Sequence, residues 1–163
     1  EVRSLYQLAS DELHVDLGGI AKGYGIDQAI SALRSRRIQH AIVTVGGDLY
    51  ALGGSPEGGP WRVGIRSPHD RRTLAATLEV TDRAVATSGD YERFFEWRGK
   101  RYHHLMDPAT AAPRRTPVHS VTVLADRCID ADAGATAVFG LPETQATAMV
   151  GRLVPGAETI TLL

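Results

Sequence analysis

The spacing of apolar positions changes several times along this chain. Residues 5–9 and 13–15 are short apolar segments separated by Ser10, Asp11 and Glu12, the pattern of two strands joined by a turn. From 20 to 33 the spacing becomes helical, with Ile20, Tyr24, Ile26, Ile30 and Leu33 forming an apolar face. Residues 41–45 predict a buried strand, Gly46, Gly47 and Asp48 interrupt it, and 49–52 continue as a second strand. The stretch GGSPEGGP at 53–60 is a loop by composition. Strands are expected at 61–65, 74–80 and 84–87, and the Arg98-Gly99-Lys100 turn predicts a hairpin of 94–97 with 101–104. A turn-rich loop at 108–117 precedes an alternating strand at 118–125. Helices at 131–139 and 143–153 and a closing strand at 158–162 complete the pattern. Runs of strands with inserted helices predict an α+β fold with a largely antiparallel sheet. With neither repeat nor linker, residues 1–163 read as one domain.

Composition narrows the possible roles. The 163 residues are 43% hydrophobic and 23% charged, the balance of one ordinary globular domain with its own core. A net charge of -1 argues against electrostatically driven nucleic-acid binding. The clusters Arg34, Arg36, Arg37 and Arg71, Arg72 are expected on solvated faces. Cys128 is the only cysteine, which excludes an internal disulfide and a cysteine-built zinc site and leaves the compartment open. No apolar run is long enough to span a bilayer. The chain starts with Glu and shows no signal peptide, so a processed product or the C-terminal part of something larger is expected.

Candidate chemistry clusters in four places. In DLGGIAKGYGID, 16–27, a glycine turn opens a helix with Lys22 in its first turn. A helix N-terminus prefers anions, so a lysine there, with free backbone N–H groups, suggests an anion or phosphate site; the alternative is a tight turn beside a solvated lysine. Asp132 and Thr136 stand at i, i+4 among small residues, placing two hard oxygen donors suited to Mg²⁺ or Ca²⁺ on one helix face. The alternative there is a helix cap, Asp130 or Asp132, with a tolerated mid-helix threonine. His103 and His104 are adjacent on a strand and must face opposite sides, which argues against a chelate and leaves one of them as a candidate general base. Ser88 and Gly89 after a strand, and the Gly46-Gly47-Asp48 turn, either approach a polar ligand or are plain turns.

In order, the segments DLGGIAKGYGID, VGGDLYALGG, ATSGDYERFF, YHHLMDP and ADAGATAVFGL, across 16–141, resemble the ApbE family of FAD:protein FMN transferases. The resemblance implies a T-fold-like α+β domain and Mg²⁺-dependent transfer of FMN from FAD to a Thr or Ser hydroxyl of an acceptor flavoprotein, with release of AMP. The acceptor would carry a D-G-x-S/T-G-A-T type motif. Two alternatives remain, an FAD pyrophosphatase yielding FMN and AMP and a non-catalytic flavin-binding module. By the same resemblance Asp132, Thr136 and the Gly19 carbonyl would hold the metal, and Lys22 would lie at the FAD. Asp16, Gly18, Gly19, Ser88, Gly89, Glu92, Leu105 and Asp107 would also contact the dinucleotide. His104 would touch FAD and act as base, leaving His103 structural, and Asp132 would be catalytic through the metal. Two departures stand out: Asp107-Pro108-Ala109-Thr110-Ala111 replaces the family's D-P-R-T-G, and Gly134 sits where a larger apolar residue is usual. The family's N-terminal segment, with its signal or lipid anchor, is not in this sequence. The family's usual place is the extracytoplasmic, periplasmic side of the membrane.

Overall fold

Five antiparallel strands form the central sheet of the computed structural model, which describes residues 14–70 and 72–163. In chain order the elements are α1 (Ala21–Ser35), β1 (Ala41–Val45), β2 (Asp48–Leu52), β3 (Trp61–Arg66), β4 (Leu74–Val80) and β5 (Arg83–Gly89). They continue as β6 (Phe94–Trp97), β7 (Lys100–His103), β8 (Met106–Asp107), β9 (Ala112–Pro113), β10 (Ser120–Ala125), α2 (Cys128–Val138), α3 (Glu143–Leu153) and β11 (Glu158–Leu162). The sheet runs β1-β2-β5-β10-β11, and β3–β4, β6–β7 and β8–β9 are separate two-stranded pairs. The α+β class and the antiparallel sheet expected from the sequence are therefore present. The strand expected at 5–9 lies outside the described residues; of 13–15 only His14 and Val15 are described, and they are irregular.

The layers follow from side-chain alternation. Tyr50 and Leu52 of β2, Ala84 and Ala86 of β5, and Val121 and Val123 of β10 point to one face, where they pack with Ile26 and Ile30 of α1, Ala131, Ala135 and Val138 of α2, and Val150 of α3. Ala51, Val85 and Leu124 point the other way and meet Val63, Ile65 and Val80 of the β3–β4 ribbon. The sheet is thus sandwiched between helices and a ribbon. Every residue of β10 is buried as a consequence, so its two-residue alternation separates two cores rather than core from solvent.

Most boundaries shift by a residue or two from expectation, and three differences have an evident cause. The second helix begins at Cys128, not 131, because its first turn is capped from another element, as described below. The hairpin turn is two residues, Arg98 and Gly99, both at positive φ (49° and 71°), so β7 already begins at Lys100. The loop at 108–117 holds β9, folded back on β8 through Ala111 at φ 51°.

Candidate active site

The site begins where α1 and α2 cross. Neither helix carries a capping side chain at its own N-terminus. Instead, the Asp27 carboxylate on α1 accepts the backbone N–H groups of Cys128 (2.8 Å) and Ile129 (3.0 Å) at the start of α2. In return Asp132 on α2 accepts the N–H of Gly23 in the first turn of α1 (3.0 Å). Each helix supplies the anion that the other's N-terminus requires. The expected caps, Asp130 or Asp132 for their own helix, are replaced by this exchange. Gly23 permits it: a Cβ there would stand 2.4 Å from the Cys128 carbonyl oxygen, so only glycine allows the backbones to meet this closely.

Lys22 is the second member. Its Nζ lies 2.5 Å from Asp132 Oδ1 and 2.6 Å from Asp48 Oδ2. The two carboxylates are 2% and 1% exposed while the lysine remains 30% exposed, so the cluster is closed behind and open in front. Burial alone would lower the Lys22 pKa, but hydrogen bonds to Asp132 and Asp48 prevail and raise it. Burial raises the Asp48 carboxyl above its usual range, against the opposing pull of Lys22 and the N–H of Thr87. Asp48 reaches this position through a two-residue turn in which Gly46 (φ 58°) and Gly47 (φ 97°) both adopt the left-handed conformation. Gly46 also clears the lysine stem, since a Cβ there would lie 3.1 Å from Lys22 Cδ. The sequence suggested a lysine free to meet phosphate; the structure shows one already held by two acids. The sequence marked Asp48 only as part of a glycine turn; its burial, and so its need for a partner, appears only in the structure.

In front of this cluster lies a cavity of about 690 Å³, within the usual range for ligand sites of about 300–1,000 Å³. It gathers Asp16, Gly18, Gly19, Lys22, Ser88, Gly89, Glu92, His104, Leu105 and Thr136 from segments far apart in sequence. Asp107 is not on its wall; its carboxylate accepts the Ala109 N–H (2.9 Å) and shapes the β8–β9 turn. Asp132 also lies behind the wall, reaching the cavity through Lys22. The sequence did not single out Arg93, Arg114 and Phe139, which line the cavity too. The glycine-turn amides are mostly committed: Gly18 N–H donates to Asp16 (2.7 Å), and Ile20 and Ala21 donate to the Leu17 carbonyl.

The two histidines divide as their alternation required. His103 is 9% exposed; its Nε2 donates to the Arg114 carbonyl (3.0 Å) and its Nδ1 accepts the Leu105 N–H (3.3 Å). Both of its nitrogens are occupied by structure. His104 is exposed on the cavity wall, with Nδ1 3.2 Å from the Arg93 carbonyl. A carbonyl can only accept, so the proton sits on Nδ1 and Nε2 keeps a free lone pair, the form a general base needs.

The donor set fits a hard divalent cation. Thr136 lies one turn beyond Asp132 on α2, and its hydroxyl is 3.2 Å from Ser88 Oγ. A Cβ on Gly19 would lie 3.2 Å from Thr136 Cγ2 and 3.5 Å from its Oγ1, so the Gly19 backbone and the threonine hydroxyl meet in a space a side chain would fill. One ammonium against two buried carboxylates leaves the cluster net negative, which attracts a cation. Among the described residues no group of three or more His, Cys, Asp or Glu side chains forms a metal cluster, so carbonyl and hydroxyl oxygens must supply part of any coordination.

An α+β scaffold that crosses two helices behind a cavity of about 690 Å³ defines a class, and comparison with known proteins identifies it. The chain belongs to the ApbE family, which matches over residues 1–161. It is 41% identical to the FAD:protein FMN transferase of Treponema pallidum over 94% of this chain and 45% of that protein. It is 42% identical to the one of Vibrio cholerae over 85% and 42%. Among solved structures it resembles the ApbE protein of Thermotoga maritima, with TM-score 0.83, 37% identity, and coverage of 91% of this chain and 48% of that one. The flavin transferase ApbE from Vibrio cholerae superposes with TM-score 0.78 and 36% identity, covering 93% and 48%. The chain therefore spans less than half the length of these curated relatives.

Proposed function

We propose that this chain carries the catalytic half of an FAD:protein FMN transferase. A Thr or Ser hydroxyl oxygen of an acceptor flavoprotein attacks the FMN phosphorus of FAD. The bond from that phosphorus to the bridging oxygen breaks, AMP leaves with that oxygen, and the hydroxyl proton goes to His104 Nε2. The observation that carries this reading is the cavity itself: a histidine with a free Nε2 shares its wall with the Lys22 ammonium and the Ser88–Thr136 hydroxyl pair. Arg93 and Arg114 line the same space and would offset pyrophosphate charge. Gly18, Gly19 and Gly89 lie on the same wall, where a Cβ would meet Asp16, Thr136 and Tyr91 respectively, so these neighbours pack close against the wall.

Asp132, Thr136 and the Gly19 carbonyl would hold Mg²⁺. Bound there, the ion would supply charge neutralisation at phosphate oxygens. Lys22 keeps Asp132 in place between α1 and α2 whether or not the ion is present. The proposed setting for this work is the extracytoplasmic side of the membrane, which cell fractionation of the native protein tests. The decisive experiment is mass spectrometry of an acceptor flavoprotein incubated with this chain, FAD and Mg²⁺. An FMN-sized mass gain with AMP in solution is the expected result. Free FMN and AMP with an unmodified acceptor would instead make the chain a pyrophosphatase, and intact FAD would make it an incomplete enzyme or a binder.

A further inference from the structure

Beside the FAD cavity a second cleft of about 440 Å³ opens between β7 and residues 112–116. Its cations are Lys100, Arg101, Arg114 and Arg115, and its only acid is Asp90. Asp90 pairs through Oδ2 with His119 Nδ1 at 2.9 Å, while its Oδ1 lies 3.5 Å from Arg101 without a hydrogen bond. Arg101 also reaches Glu96, and Arg114 donates to the Phe139 carbonyl (2.7 Å). Lys100 and Arg115 make no ion pair with any described residue. A chain of net charge -1 thus concentrates positive charge in one cleft, and two of its cations are unspent.

The cleft also offers backbone. Trp97 pairs with Lys100 and Phe95 with Tyr102, and the His104 N–H donates to the Arg93 carbonyl. Hydrogen-bonded pairs alternate along an antiparallel ladder, so these bonds turn the N–H and C=O groups of Arg101 and His103 to the edge away from β6. No described group bonds them. Donors and acceptors two residues apart match an extended polypeptide, whereas a small anion could use only the donors. The cleft meets the FAD cavity at Arg114, which lines both, and β7 ends one residue before His104.

We infer that this cleft is the docking site for the protein acceptor, which enters as an acidic, extended segment paired with the β7 edge that no described residue bonds, and leads its hydroxyl toward His104. This rests on the protein-acceptor part of the proposed function. The direct test is fluorescence anisotropy of the full chain, without FAD, using a labelled peptide of alternating Glu and Thr and its Gln–Thr counterpart. The Glu–Thr peptide is expected to bind more tightly than the Gln–Thr peptide and to weaken as salt rises. Lys100→Glu combined with Arg115→Glu, with far-UV circular dichroism unchanged, is expected to weaken it at least about tenfold. A Glu–Thr peptide N-methylated on alternate residues is expected to lose binding. No binding by the wild type, equal binding of both peptides, full binding by the double variant, or full binding of the methylated peptide each overturns the proposal. AMP release from FAD, assayed separately, keeps the two readings apart: its absence counts against the flavin chemistry, while peptide discrimination alone decides the docking.

Discussion

At the scale of single residues, His104 and Asp132 play different parts that measurements can separate. His104 presents a free Nε2 to the cavity and bears no packing load, so His104→Ala should lower FMN transfer about a hundredfold or more while leaving the apparent KM for FAD within a few-fold. A loss confined to FAD affinity would remove it from proton transfer. Asp132 is both a candidate metal ligand and the cap of α1, so Asp132→Ala should do two things at once. Mg²⁺-dependent AMP release should fall on the order of a hundredfold, and the unfolding free energy should drop by about 1–3 kcal/mol as Gly23 N–H loses its acceptor and Lys22 one of its two acids. Asp27→Ala isolates the second effect. It removes the cap of α2 without touching the cavity, and urea denaturation should show a loss of about 1–2 kcal/mol with FAD binding retained.

At the scale of elements, pattern and partner explain different parts of the molecule. The helical period at 20–33 and 143–153 and the strands at 41–45, 74–80 and 158–162 are legible from their own apolar spacing, and the strand at 94–97 from the turn that follows it. The start of α2 is not, because the cap that lengthens it sits 101 residues away on α1. β10 reads as a half-buried strand until the β3–β4 ribbon is seen to cover its second face. The cavity residues Lys22, Ser88, His104 and Thr136 carry a recognisable chemistry in their local motifs. The partnership of Lys22 with Asp48 is tertiary, and no local spacing announces it. Glycines show the same contrast. Gly134 has room for a methyl group, with nearest atoms 3.6 Å or more away, so Gly134→Ala should stabilise α2 by up to about 1 kcal/mol. Gly23→Ala would drive a Cβ into the Cys128 carbonyl and should destabilise by about 1–3 kcal/mol or more; paired thermal melts of the two variants decide this.

At the scale of the whole molecule, several buried groups titrate in the same direction. Burial raises the pKa of the Cys128 thiol and of the Tyr50 and Tyr91 hydroxyls, and Lys22 is raised by its acids once the opposing effect of burial is overcome. A group whose pKa is higher in the folded chain contributes its full stability below the unfolded value and loses it as pH climbs toward the folded one. Stability should therefore hold near neutrality and decline above about pH 9, which urea midpoints across the alkaline range would reveal. Midpoints that rise there would contradict the burial of these groups. The exchange of caps between α1 and α2 has a consequence in time. Lys22 stands 110 residues ahead of Asp132, so at cellular rates of synthesis roughly 5–20 s separate their emergence from the ribosome. During that interval the first helix lacks its anion, its lysine lacks one of two acids, and the second half of the donor set has not been made. The cluster behind the cavity can therefore close only after Asp132 has been made, well after the first helix and its lysine.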